Sequence, residues 1–341
     1  MNTTSSQELL VQVFIPTFNR AQKLERAVLS VLAQTVRSLE VVVLDNHSED
    51  DTPAVIARLC RSDRRVTYIR RDKNIGMLAN FNSIRELVSG SHFCVLPDDD
   101  DYDPRFLEFA LAPFAEHRSV RLVACNALTM QHERVVKSQL DTWRGGFYPA
   151  GAAVRRCIMG HYPLVTNCLF SALVREDFYF PPELDNTSDG FLLTCMFAKY
   201  DAYVVHEVTG YWHNDGQNAS SQIGFQPRRM IDMAVDEYRL YKEFAIRNRM
   251  PAGSTALLWC KKFFTILACV DGAGIELATS SLALRRCESA PFIAMLRLAH
   301  ALRLVRAVTW ALSRARQLGK ALATRARVAG RHITIEPGTK R

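Results

Sequence analysis

Four consecutive aspartates, Asp98 to Asp101, follow directly on the apolar run Phe93-Cys94-Val95-Leu96-Pro97. A run that is apolar at every position reads as a strand buried on both faces of a sheet. Carboxylates crowded past its end repel one another at neutral pH unless a cation sits among them. Hard divalent cations take oxygen ligands, and Mg²⁺ in particular is held by one or two carboxylates plus the phosphates of a substrate. The junction therefore predicts a metal-diphosphate site at the carboxyl edge of an α/β sheet, where open sheets place their ligands. A solvated acidic turn is the competing reading. Asp103-Pro104 has the form of a helix start, with Asp103 as cap and Pro104 at the first helical position, and Asp101 to Asp103 need nothing more. Asp98 to Asp100 come earlier, at the strand end itself.

The first 125 residues alternate apolar runs with helical patterns, which implies parallel β-α-β units. Leu10 to Ile15 reads as the first strand, followed by a helix over 23–34 with Leu24, Ala27, Val28, Val31 and Leu32 on one face. Strands are expected at 40–44, 66–69 and 93–96, with another at 121–125. Helices are expected at 52–60 and 77–88. Polar residues cluster after the strand ends: Thr17 and Asn19, Asp45 and Asn46, then Asp98 to Asp100. Three loops converging on one sheet edge make a nucleotide crevice. Neither a Gly-x-Gly-x-x-Gly fingerprint nor a Walker A sequence occurs, so dinucleotide binding and a P-loop have no support. Further on, 169–174 reads as a strand, 191–198 as a helix, and 203–206 and 208–213 as a pair of short strands. From about residue 225 to 328 the pattern is helical. No internal repeat or low-complexity linker is present.

These pieces resemble the family 2 glycosyltransferases of the GT-A fold over roughly residues 10 to 220. The matching segments are Phe14-Ile15-Pro16-Thr17-Phe18-Asn19-Arg20, then Val43-Leu44-Asp45-Asn46-His47-Ser48-Glu49-Asp50-Asp51-Thr52, then Asn74-Ile75-Gly76. Leu96-Pro97-Asp98-Asp99-Asp100 looks like the family's metal motif. Ser188-Asp189-Gly190-Phe191-Leu192, and Tyr211-Trp212-His213 leading to Asn218-Ala219-Ser220, resemble its acceptor-side elements. Each segment alone is short; together, in the family's order, they carry the resemblance.

The resemblance implies an α/β GT-A fold, Rossmann-like, with a mostly parallel central sheet flanked by helices. Residues 1–224 would form the nucleotide-sugar-binding and catalytic domain, and 225–341 a helical, basic C-terminal extension. Pro16, Thr17, Phe18, Asn19 and Arg20 would hold the donor nucleotide, with Phe18 stacking on the base. Asp45 would accept a hydrogen bond from the base, favouring uracil or thymine. Asn74 would shape the neighbouring loop, and Asp98 would approach the ribose. Asp99 and Asp100, with His213 on a diphosphate-facing loop, would bind Mn²⁺ or Mg²⁺. Asp189 would be the general base toward the acceptor hydroxyl. The implied reaction moves one sugar from a nucleoside-diphosphate donor to a saccharide or lipid-linked saccharide with inversion, as in bacterial surface-polysaccharide synthesis.

This sequence departs from the family pattern in places. Many members carry an aspartate where Pro97 stands, Phe18 often appears as tyrosine, and Asp215 fits the His213 column about equally well. The Gln-x-x-Arg-Trp motif of processive synthases is absent, so transfer of a single sugar is expected. From the residues alone, Asp45 could equally stabilise a turn, and Asp189 could equally cap the helix that follows it.

Charge is unevenly placed on this 341-residue chain of net charge +8. Arg297, Arg303, Arg306, Arg314, Arg316, Lys320, Arg325, Arg327 and Arg331 crowd the C-terminal stretch, where Glu288 and Glu336 are the only acids after residue 280. Such an asymmetry fits an anionic partner. Two readings stand side by side: a basic amphipathic helix in an anionic membrane surface, or a helical cap packed on the catalytic domain. The N-terminus has no charged n-region or apolar h-region, and no window reaches the roughly 18 apolar residues of a membrane span. Nine cysteines without paired short spacings predict reduced thiols. A cytoplasmic protein, peripheral on the inner face of the membrane if the tail binds lipid, is the expectation. Nucleic-acid binding is not expected, because the best-defined motif is acidic. The rival enzyme reading is a nucleotidyltransferase, which usually shows a glycine-rich basic loop; Pro16 to Gln22 has no glycine. A non-catalytic sugar-nucleotide binder is the third reading.

Overall fold

The apolar runs at 13–15, 41–44 and 93–95 become buried strands. A computed structural model describes residues 10–131, 134–214, 226–250 and 252–273, together with Phe292 and Leu298. Strand β1, Val11–Thr17, is buried at all seven positions. Helix α1, Ala21–Leu32, covers it with Leu24, Ala27, Val28 and Val31, the apolar face expected from the 3.6-residue period. Strand β2 (Leu39–Asp45), helix α2 (Thr52–Ser62) and strand β3 (Val66–Arg70) follow. The expected helix over 77–88 forms as two pieces, α3 (Met77–Asn82) and α4 (Ile84–Leu87). At the joint the Ser83 hydroxyl donates to the Asn80 carbonyl at 2.7 Å, a local bond that competes with the helical ladder. Strand β4, His92–Val95, then leads into the aspartates.

The second half completes one sheet. Its elements are β5 (Asp101–Tyr102), α5 (Phe106–Glu116), β6 (Val120–Gln131), β7 (Arg134–Ser138), β8 (Gly146–Tyr148), α6 (Val154–Ile158), β9 (Cys168–Ser171), α7 (Ser188–Lys199) and β10 (Asp201–His213). Helices α8 (Pro227–Arg247) and α9 (Ala252–Ala273) follow. The strand order is β3-β2-β1-β4-β9-β6-β10-β5, with β7 on β6 and β8 on β10. Strands β3, β2, β1 and β4 are mutually parallel, and so are β6 and β10. Because β9 pairs antiparallel with both β4 and β6, those two parallel groups point the same way. The sheet is thus mixed, with a parallel frame and antiparallel inserts. Alternation along β1 feeds two cores: Phe14 joins Phe93, Phe170 and Phe178 on one face, while Val13 and Ile15 join Leu24 and Val28 on the other.

Three local expectations are corrected. The segments 203–206 and 208–213 are one strand, β10, which absorbs its irregularity as register shifts against β6 between Val205 and Val208 and between Val208 and Gly210. The strand expected to reach Val174 stops at Ser171, whose hydroxyl accepts from Leu173 N and opens a 3₁₀ turn. Helix α5 begins at Phe106, so Pro104 precedes it; Asp103 holds the preceding turn by accepting from Arg105 N at 2.9 Å.

The chain divides into two compact units, one made of Met1–Phe225 with Asp236–Lys261, the other of Gln226–Val235 with Lys262–Arg341. In the first unit, Tyr241, Ala245 and Leu258 are buried with Val154, Leu184 and Phe191. Apart from Leu298, the stretch from Arg297 onward lies outside the described residues. No helix among the described residues is long and apolar enough to cross a membrane. The described cysteines are free thiols, with Cys94, Cys125 and Cys168 fully in the core.

Candidate active site

Parallel registration brings the ends of β1 and β2 level: Thr17 pairs with Asp45. Beyond them the two loops are stitched together. Asn19 adopts φ 54°, a left-handed conformation that asparagine tolerates. Its backbone N–H donates to Ser48 Oγ at 2.8 Å, and its side-chain oxygen accepts from Glu49 N at 2.8 Å. Asp45 is fully buried beneath this junction. Its carboxylate accepts from Ser48 N at 2.8 Å and from the Tyr68 hydroxyl at 2.6 Å, and Arg70 Nε lies at 3.5 Å. Burial and then the Asp45 charge push the Tyr68 phenol up, which keeps it a donor. Asn46 reaches sideways, accepting from Ile75 N at 2.9 Å and donating to Asn74 Oδ1 at 2.8 Å. Asn74 Oδ1 also accepts from Gly76 N at 2.9 Å, closing a turn in which Gly76 takes φ 88°.

The aspartates follow at the end of β4. Asp98 Oδ2 accepts from the Thr17 hydroxyl at 2.7 Å, and Asp98 Oδ1 from Arg20 Nη1 at 3.0 Å. Burial pushes the Asp98 carboxyl up to about 6, against the opposing charge of Arg20. Asp99 Oδ2 meets the same Arg20 nitrogen at 2.9 Å, and the Asp99 carbonyl accepts from Arg26 Nη2 at 2.6 Å. Asp100 Oδ1 accepts from His213 N at 3.0 Å. Its second oxygen, Oδ2, is buried and has no hydrogen-bond partner among the described residues. Burial, then the charge of Asp99, holds the Asp100 carboxyl well above the usual range. Asp101 lies off this group: its Oδ2 meets His213 Nε2 at 2.7 Å and Arg26 Nε at 3.2 Å.

A cleft of about 530 Å³ opens above these loops. Pro16, Thr17, Phe18, Arg20, Asn74, Asp98, Asp99 and Asp100 line it, and so do Phe180, Asp189 and Trp212 from later in the chain. Asp189 lies in the first turn of α7, where the helix dipole favours a carboxylate. It accepts from Gly190 N at 2.6 Å and does not cap the helix, which begins at Ser188. Burial pushes its carboxyl up to about 6. Just upstream, Asp185 takes φ 45° and ψ −127°, an uncommon conformation for a residue with a Cβ.

Nine of the twelve residues anticipated from the sequence therefore line one cleft; Asn19, Asp45 and His213 do not. Asn19 and Asp45 build its floor from beneath, and the His213 ring is turned to Asp101. Asp215, the alternative to His213, lies outside the described residues. Asn46, grouped from the sequence with the strand-end polar residues, also lines the cleft, and the sequence reading missed Asn80, Phe81, Thr166, Phe180 and Asp185, which line it too. Those sit where no motif spacing marks them.

The acidic side fits a divalent cation. An anionic oxygen as buried and unpaired as Asp100 Oδ2 calls for a proton or a cation. No three His, Cys, Asp or Glu among the described residues form a closed cage. Asp99 and Asp100 would therefore supply part of a shell that substrate phosphates complete, the arrangement typical of Mg²⁺.

Residues 12–169 match the sequence profile described as "Glycosyl transferase family 2". Residues 12–169 are a family 2 glycosyltransferase domain. The chain is 27% identical over 264 residues to the putative colanic acid biosynthesis glycosyl transferase WcaA of Escherichia coli strain K12, covering 73% of this chain and 92% of that one. The fold is similar to Staphylococcus aureus TarS 1–349 in complex with UDP-GlcNAc, at TM-score 0.56 and 17% identity over 86% of this chain and 91% of that one. It is also similar to the mannosyltransferase PcManGT from Pyrobaculum calidifontis in complex with GDP-Man and Mn²⁺, at TM-score 0.52 and 20% identity over 92% and 86%. These two likenesses establish the GT-A fold for this chain. It is a glycosyltransferase with a helical C-terminal region.

Proposed function

We propose that this glycosyltransferase uses a divalent cation, Mn²⁺ or Mg²⁺, to move one sugar from a nucleoside-diphosphate donor to a saccharide hydroxyl with inversion. The observation that carries this reading is a single cleft lined by Asp98, Asp99 and Asp100 from the end of β4 and by Asp189 from the first turn of α7. Phe18, 41% exposed at the rim, offers its ring face to the base. Asp45 orders the floor beneath the base through Ser48 and Tyr68, and the preference for uracil or thymine comes from the resemblance at that position. Asp98, fixed by Thr17, faces the ribose. Asp99 and Asp100 would hold the cation, which when bound offsets charge on the leaving diphosphate as a Lewis acid.

Asp189 takes the proton of the acceptor hydroxyl. Its Oδ1 is engaged by Gly190 N, which leaves Oδ2 to receive that proton. A carboxylate titrating near 6 is a stronger base than an exposed one and is still ionised at neutral pH. Attack from the face opposite the diphosphate inverts the anomeric carbon. The name of the WcaA relative supports a polysaccharide acceptor, and a lipid-linked acceptor would suit attachment of the arginine-rich tail to an anionic membrane from the cytoplasmic side.

The test is release of nucleoside diphosphate from a panel of UDP-, dTDP- and GDP-sugars, with saccharide acceptors and Mn²⁺. Wild type should turn over at least one donor, and Asp189→Asn should lower that rate about 10²–10⁴-fold while still binding the nucleotide. Nucleotide binding without turnover of any donor would point instead to a sugar-nucleotide-binding protein.

A further inference from the structure

Arg20 places one guanidinium nitrogen between two carboxylates of the acidic cluster. Nη1 lies 3.0 Å from Asp98 Oδ1 and 2.9 Å from Asp99 Oδ2. Arg26 serves the opposite flank, bonding the Asp99 carbonyl and Asp101. The two arginines differ in setting: Arg20 lines the cleft and Arg26 does not. The Arg20 side chain is one-third exposed, whereas Asp98 and Asp99 are nearly closed to solvent. Its backbone is anchored, because the preceding Asn19 is tied on both sides to Ser48 and Glu49. The guanidinium can therefore swing within the cleft while its root stays fixed. One residue beyond Asp99, the second oxygen of Asp100 is buried and has no hydrogen-bond partner among the described residues.

A guanidinium in contact with Asp99 repels a second cation seeking the same oxygen, and it lowers the negative charge that would attract one. A diphosphate changes the balance, since it brings its own charge and matches the planar guanidinium fork with paired oxygens. We propose that Arg20 is a resident counter-cation: it neutralises Asp98 and Asp99 until a divalent cation arrives with a nucleoside diphosphate, and then passes to the diphosphate. Cation and nucleotide would in consequence bind as a pair. This inference rests on the metal-dependent donor reading.

The test measures Mn²⁺ binding by the electron paramagnetic resonance signal of free Mn²⁺, alone and with UDP or dTDP. It uses wild type, Arg20→Gln and Arg20→Lys, with circular dichroism melts to establish folding. Wild type should bind Mn²⁺ about tenfold or more tightly with nucleotide than without, and Arg20→Gln should bind Mn²⁺ alone about tenfold or more tightly than wild type does. Arg20→Lys, which keeps the charge, should stay close to wild type. If wild type shows nucleotide-dependent binding but Arg20→Gln gains no affinity for Mn²⁺ alone, the counter-cation role is overturned and the metal-dependent reading stands. Wild-type binding that is equally tight with and without nucleotide also overturns the proposal, and this arm needs no variant to fold. Absence of Mn²⁺ binding in both conditions overturns the proposal and the metal-dependent reading together.

Discussion

Asp189, the base of the proposed mechanism, is held in the cleft at the expense of stability. Burial pushes its carboxyl up to about 6, so the folded chain favours the protonated form. Stability from that preference is fully present below the ordinary carboxylate range and is lost as pH rises through 6. The rise corresponds to about 3 kcal/mol against the ionised form at neutral pH and above. Asparagine carries no charge and keeps a carbonyl oxygen for Gly190 N. Asp189→Asn should thus melt above wild type at pH 8, with the gap closing as pH falls toward 4; thermal scans at both pH values decide it, and an equal or lower Tm at pH 8 would contradict the buried-charge account. Wild-type turnover should in turn fall as pH drops below 6, where the base becomes protonated. Legibility also differs by residue. Asp98 to Asp100 stood out because carboxylates rarely follow an apolar run without a cation to share. The partners of Asp45 did not, since Tyr68 reaches it from a neighbouring strand and no sequence spacing encodes that pairing.

Between elements, the side-chain amide of Asn82 ties α3 to the segment that precedes α7. Asn82, at the end of α3, donates to the Phe180 carbonyl at 2.8 Å and accepts from Phe180 N at 2.7 Å. Phe81 and Phe180 pack edge to face beside it, with ring centroids 5.5 Å apart. The donor-side turn at Asn74–Gly76 is thereby joined to the segment that carries Asp185 and Asp189. Asn82→Ala leaves both Phe180 backbone groups unpaired and should cost about 1–3 kcal/mol. Urea unfolding measures that loss, and steady-state kinetics should show a higher KM for the acceptor; unchanged stability together with unchanged kinetics would remove Asn82 from the account. This clamp was not legible in the sequence, because its partners lie 98 positions apart. The parallel strands and α1 were legible, since uninterrupted apolar runs and a clean helical face leave few alternatives. The break at Ser83 and the continuity of β10 were not, because each depends on side-chain or register detail that periodicity averages away.

For the whole molecule, the arrangement reduces to a parallel frame, β3-β2-β1-β4, whose carboxyl ends carry Thr17, Asp45 and the aspartates from Asp98 on, and a later helix, α7, that brings Asp189 to the same cleft. The frame could be drawn from the sequence, since each strand end is marked by polar residues. The antiparallel insertion of β9 between β4 and β6 could not, because no sequence period encodes which strands pair. The central claim is that the carboxylates after β4 bind a nucleoside diphosphate through a divalent cation. Calorimetry of UDP, dTDP and GDP binding, with and without Mn²⁺, tests it most directly in wild type and Asp99→Ala. The account predicts Mn²⁺-dependent binding of UDP or dTDP that Asp99→Ala abolishes. Nucleotide binding of equal strength without metal, or undiminished in Asp99→Ala, would contradict it.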